Sequence, residues 1–151
     1  MNGMKIKIEK SIEYEHIVNL FSTALYGNDA FACTYDKEFY NEECDPDEDD
    51  CFEDKIAKTL FKGGSVIVYD MYSEEGDKAY GSNRNTFISK DFNGHIGYPI
   101  SLDDIINGAE LAVKNGYESR VIAWLNEDWD FDLIYADCIL QFIVYGDYIY
   151  G

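Results

Sequence analysis

The chain has 151 residues, and 12 Lys+Arg set against 30 Asp+Glu give a formal net charge of −18 at pH 7 with both histidines neutral. That balance excludes a free-standing binder of nucleic acid or of an anionic membrane, whose affinity rests on cationic side chains. With 46% hydrophobic and 16% aromatic residues and two prolines the chain is not a disordered one, and a domain of this length buries roughly 70% of its unfolded surface.

Met4, Ile6 and Ile8 alternate with Lys5, Lys7 and Glu9, the period of a half-buried strand. The same alternation is not the apolar core of a signal peptide, and no stretch approaches the ~20 apolar residues of a spanning helix, so a cytoplasmic protein with no membrane contact is expected. From Ser11, a suitable N-cap, the period becomes helical through Ile17, Val18, Phe21, Ala24 and Leu25, and Gly27 closes the helix. Phe31, Cys33 and Tyr35 read as a strand that runs into an acidic stretch, after which Asp54 to Phe61 forms a short helix stopped by Gly63-Gly64. Ser65 to Tyr72, with Val66, Ile67, Val68 and Tyr69, reads as a central strand.

Glu74 to Asn85 is rich in turn residues and precedes a strand at Thr86-Phe87-Ile88. Ser101 and Asp104 approximate a capping box for a helix carrying Ile105, Ile106, Ala109, Ala112 and Val113 and ending before Gly116. Val121 to Leu125 is expected as a strand. Asp132 caps a last helix whose stripe is Ala136, Ile139, Leu140, Ile143 and Val144, ending at Gly146. Without repeats, linkers or βαβ alternation, the expectation is one α+β domain over residues 1–151, mostly antiparallel sheet packed by about three helices, with the acidic segment 36–54 inserted between a strand and a helix.

The charge is unevenly placed. Residues 36–54 carry eleven acids and one base, residues 121–151 carry six acids and none, and together they hold −16 of the −18. Glu42 to Asp54 would span at most ~45 Å if extended, one carboxylate per ~5 Å, against one phosphate per ~3.4 Å along a DNA strand. A cationic groove would feel such charges together. The expected partner-binding residues are therefore Glu42, Glu43, Asp45, Asp47, Glu48, Asp49, Asp50, Glu53 and Asp54, joined by Glu127, Asp128 and Asp130, with Tyr40 and Phe52 as apolar anchors. The plainer reading of the same residues is a solvated acidic loop that keeps the protein soluble.

Neither a metal nor a cofactor is expected. Asp45, Asp47 and Asp49 match the first three ligand positions of a calcium loop, but Asp50 and Ile56 stand where it needs Gly and a bidentate Glu. Cys44, Cys51 and the two histidines lack zinc spacing, and the four cysteines read as thiols, with a local Cys44–Cys51 disulfide the alternative in an oxidising compartment. No phosphate-binding, dinucleotide or nucleophile-elbow motif is present. His16 reads as a surface helical residue and His95 as a turn residue, and Asp128 and Asp130 beside Trp124 and Trp129 are the remaining acid/base pair, so a non-enzyme is expected.

The closing run Ala136-Asp137-Cys138-Ile139-Leu140-Gln141, then Tyr145-Gly146-Asp147 and Tyr150-Gly151, resembles the ending of a family of small acidic proteins of phages and mobile elements of gut bacteria that has no settled activity. Ala24-Leu25-Tyr26-Gly27, the Gly63-Gly64 turn and the helix from Leu102 to Val113 resemble it in order. The chain departs from the pattern at Gly27-Asn28-Asp29-Ala30-Phe31 and in its acidic insertion. The resemblance implies a phage origin, where small acidic proteins often look like anti-CRISPR or anti-restriction inhibitors that imitate DNA. On that expectation the partner is a basic nucleic-acid-binding protein such as a host nuclease. The alternative is a structural or interaction module that binds through apolar surface, as a homodimer through Tyr145, Tyr148 and Tyr150.

Overall fold

A computed structural model describes residues 12–27, 29–74, 76–81, 86–89 and 92–150. The strand expected at Met4 to Ile8 lies outside these, as does Ser11, but the first helix has Glu13 and not Ser11 as its N-cap. Among the described residues the order is α1 (Tyr14–Tyr26), β1 (Phe31–Tyr35), α2 (Lys37–Glu43), α3 (Phe52–Phe61), β2 (Val66–Asp70), β3 (Phe87–Ile88), β4 (Ile96–Ile100), α4 (Leu102–Ala112), α5 (Glu118–Leu125) and α6 (Leu133–Tyr145).

The sheet has the order β1-β2-β4-β3 with every pair antiparallel. Residues directly opposite in such a ladder share a face. Tyr35, Val66 and Ile100 make one row, Cys33, Val68 and Tyr98 the next, and Phe31, Asp70 and Ile96 the third. This face is almost wholly buried and belongs to the main core, which explains the β-branched run at Val66–Tyr69 and its place between two neighbours. Asp70 is the exception, a carboxylate 1% exposed between Phe31 and Ile96 at the end of β2. On the opposite face the Tyr69 ring stacks on Phe92 at 4.1 Å between centroids.

Helix α6 is the axis of the helical part. Ala136 and every residue from Cys138 to Tyr145 are buried, because α1, α4, α5 and β4 all pack around it. A helix apolar on all sides is one surrounded by protein, so its one-sided stripe understated its burial. Asp132 caps it by accepting from Tyr135 N, and Gly146 ends it in the left-handed conformation at φ 75°. Helix α4 crosses it at Gly108, where a Cβ would stand 2.4 Å from Ile143 Cα, so only glycine allows the two backbones this close.

Several expectations are corrected. The class is α+β and the sheet antiparallel, but the domain is not mostly sheet: among the described residues, strands of five, five, two and five residues stand beside six α-helices instead of about three. Val121 to Leu125 is the end of α5, not a strand, since a short apolar run fits either period. The chain continues past α4 through a wide π-type turn, Val113–Tyr117, in which Gly116 takes φ 95° and turns it into α5. Strand β4 was masked by its Gly97 and Pro99, both unfavourable in strands. The acidic stretch is not an open insertion but contains α2, capped by Asp36 accepting from Phe39 N. No helix among the described residues is long and apolar enough to cross a membrane.

Candidate partner-binding site

In the first acidic region α2 and α3 pack together and the loop between them closes around one lysine. Lys58 Nζ, one turn inside α3, donates to Asp50 Oδ2 at 2.7 Å and to the Asp45 carbonyl at 3.2 Å. Asp50 Oδ2 also accepts from the Tyr40 hydroxyl and from Asp47 N, while Asp47 Oδ1 accepts from Asp49 N. Burial alone would raise the Asp50 carboxyl, but the hydrogen bonds from Lys58 and Tyr40 outweigh it and hold it below the usual carboxylate range. Burial and then the Asp50 hydrogen bond push the Tyr40 hydroxyl up to about 12. The loop is thus tied at four points.

This geometry divides the expected residues. Glu42, Glu43, Asp45, Asp47, Glu48 and Asp49 are exposed. Asp50 and Asp54 are half-buried, and Glu53 is buried. Asp54 Oδ2 accepts from Cys51 N at the start of α3, and its Oδ1 accepts from Tyr14 at 2.6 Å, which with Cys51 holds its carboxyl low despite partial burial. Tyr40 is 4% exposed and Phe52 half-buried, and both rings pack edge-on against Tyr35, so neither is free to anchor a partner. Aromatic side chains in an acidic run were the natural anchors only while the run was taken to be open. Lys55, over the Tyr35 and Tyr40 rings, further reduces the local negative charge.

The second region lies on the other side of α1. Asn19 Nδ2 donates to Glu127 Oε1 at 3.4 Å, while Tyr14 holds Asp54. Asn19 is five helical steps after Tyr14, about 140° around a helix, and exposed Glu15 falls between them on the outer side. Helix α1 therefore places exposed Glu15 between the half-buried Asp54 on one side and Glu127 on the other, a band of three carboxylates. His16 fixes the junction: its Nδ1 accepts from Glu13 N, its Nε2 donates to the Leu125 carbonyl at 2.8 Å, and its own carbonyl accepts from the buried Trp124 indole at 2.8 Å. Asp128, Trp129 and Asp130 follow, all exposed, with Trp129 showing no burial at all. Sequence reasoning missed Glu15, which only helical geometry places in the band, and paired Trp129 with an acid/base reading that its full exposure does not favour.

Beside this loop lies a cleft of about 410 Å³ lined by Ala30, Tyr72, Leu133, Ile134, Asp137, Tyr148 and Tyr150. The C-terminal tail forms one wall. Gln141, fully buried in α6, accepts from Ile149 N and Tyr150 N through Oε1 and donates through Nε2 to the Tyr150 carbonyl and to Asp137 Oδ2. Tyr150 also donates to Asp70 Oδ2, and Tyr72 N donates to Asp70 Oδ1. Tyr145 is buried and Tyr148 and Tyr150 are half-buried, so the tail expected to be free for a homodimer is folded onto its own chain. Burial pushes the Asp137 carboxyl up, against a smaller opposing effect of the Gln141 hydrogen bond.

Both histidines hydrogen-bond to backbone carbonyls. His16 is a buried pin and not a surface residue; His95 Nδ1 donates to the Ser73 carbonyl at 2.6 Å, and Ser73 Oγ accepts from Ile96 N and donates to the Asp70 carbonyl. Cys44 is buried and Cys51 exposed, both as free thiols. Among the described residues no three His, Cys, Asp or Glu side chains gather as a metal cluster. No family model matches the chain, and neither a curated protein nor a solved structure is significantly similar to it.

Proposed function

We propose that this chain is a non-enzymatic, cytoplasmic binding protein of phage type whose carboxylates occupy the basic nucleic-acid groove of a host nuclease or similar protein, competing with its nucleic acid as anti-CRISPR and anti-restriction inhibitors do. The observation that supports the reading is the fixed backbone beneath the charge. Six exposed carboxylates project from the end of α2 (Glu42, Glu43) and from the loop held by Lys58 (Asp45, Asp47, Glu48, Asp49), and exposed Glu15 and Glu127 carry the charge on toward Asp128 and Asp130. Preordered charges bind without the ordering cost that a mobile acidic loop incurs, and they steer association.

The test is neutralisation. Replacing Glu42, Glu43 and Glu48 by Gln and Asp45, Asp47 and Asp49 by Asn leaves side-chain size unchanged. Association with a basic nucleic-acid-binding protein should slow by roughly tenfold or more at low salt and lose most of its salt dependence. Unchanged association would sink the reading. The second reading, a module held by apolar contacts, is favoured by exposed Tyr72 and Ile134 at the cleft and by the exposed Trp129. Binding that resists salt but is lost in Trp129→Ala would select it.

A further inference from the structure

A carboxylate drawn half into the protein normally has a cation to meet it. Among the described residues the Asp137 carboxylate receives one hydrogen bond, from neutral Gln141 on its own helix, and no basic side chain lines its cleft. Asp70, the other buried carboxylate of this corner, is met by Tyr72 N and the Tyr150 hydroxyl, and Arg120 lies against the Tyr148 ring without lining the cleft. The walls themselves are π faces. Tyr72 and Tyr150 meet edge to face at 5.1 Å between centroids and 71° between planes, and Tyr148 and Tyr150 complete the tail side of the cleft. Tyr72 remains 52% exposed, so one ring is open to solvent.

The same molecule shows what such rings accept. Arg120 stands with its guanidinium carbon 5.0 Å from the Tyr117 ring centroid, 5.2 Å from Tyr135 and 5.7 Å from Tyr148, a cation held by three tyrosines. Tyr148 thus belongs both to that filled cage and to the open cleft.

We propose that the cleft bounded by Tyr72, Tyr148, Tyr150 and Asp137 receives the guanidinium or ammonium group of an arginine or lysine side chain presented by a basic protein partner. Asp137 supplies the counter-charge, the tyrosine rings supply cation–π attraction, and Leu133 and Ile134 receive the aliphatic stem. Asp128, Asp130 and Asp132, exposed just ahead of α6, draw the cation toward the opening. The raised Asp137 carboxyl fits a group that gains from a cation. The identity of the partner rests on the function proposed above; the cation preference of the cleft does not, and it is tested without any partner.

The experiment is a two-dimensional amide NMR titration of the full chain with N-acetyl-arginine amide and N-acetyl-lysine amide, against neutral N-acetyl-citrulline amide and choline, each to about 50 mM. The expected result is saturable shifts at residues 72, 134, 137, 148 and 150 with arginine or lysine, at least fivefold weaker with citrulline and weaker with choline. Asp137→Asn keeps an acceptor for Gln141 and should abolish the preference for arginine over citrulline, while Tyr72→Leu, at an exposed position, should weaken both cations. No saturable shift, equal shifts with citrulline, shifts confined to residues 42–49, or saturation by choline alone would each overturn the proposal. A positive result here with no effect of neutralising the 42–49 carboxylates would keep the cleft and reject the mimicry.

Discussion

The two acidic regions are built on opposite plans. In the first, the charge is denser, but α3 turns Lys55 and Lys58 into it and the fold draws in Asp50, Glu53 and Asp54. In the second, fewer acids stand without a base in the segment, around a fully exposed Trp129 and beside a cleft with its own carboxylate. Charge counted along a chain is therefore not charge offered to a partner. The first region spends part of its acids on holding its shape, and the second relies on the buried Trp124 and His16 behind it.

The sharpest contrast is between the two tryptophans. Trp124→Ala removes a fully buried indole and its bond to the His16 carbonyl, and should cost about 3–5 kcal/mol in urea unfolding. Trp129→Ala should stay within about 0.5 kcal/mol and show its effect only in binding. Equal losses would mean that the second region is not a fixed platform with an open residue on it. Next in size, Tyr40→Phe removes the hydroxyl that meets Asp50 and should cost about 1–2 kcal/mol, whereas Asp49→Asn, on an exposed side chain, should cost almost nothing.

Lys58→Met separates order from charge in the first region. It makes the chain more negative, so affinity for a basic partner should rise if bulk charge is what matters. The ordered loop predicts the reverse, a loss of roughly two- to tenfold in affinity together with faster proteolysis between Asp45 and Asp50.

The smallest effect distinguishes the regions by pH. Asp50, Glu53 and Asp54 have carboxyls held below their unfolded values, so their stabilisation is complete above about pH 5 and fades as the pH falls through their folded values. Asp137 is raised, so it opposes folding at neutral pH, and that opposition disappears as the pH drops through its folded value toward the unfolded one. Asp137→Asn should therefore be more stable than the parent chain at pH 7 and equal to it near pH 3, while Asp50→Asn destabilises at pH 7 and flattens the acid limb. Urea midpoints across pH 3–8 read both slopes.

What was legible in the sequence followed local chemistry. Asp132 and Gly146 bounded α6, Ser101 capped α4, and the β-branched run at Val66 marked the strand that lies between two others. What was hidden depended on distant partners. Helix α2 buries little beyond Tyr40, so its pattern was swamped by acids. Which carboxylates are withdrawn was set by Lys58 and Tyr14, eight and forty residues away from Asp50 and Asp54. Gln141 stood in plain view, yet its clamp on the tail appears only when the chain folds back.

The most direct test of the central claim is capture from nuclease-treated bacterial lysate on the immobilised protein, with stepwise salt elution and a parallel column carrying the chain neutralised at Glu42, Glu43, Asp45, Asp47, Glu48 and Asp49. The account predicts basic nucleic-acid-handling proteins that leave at moderate salt, are displaced by added DNA, and are missing from the neutralised column. Partners held equally by both columns and resistant to salt would contradict it.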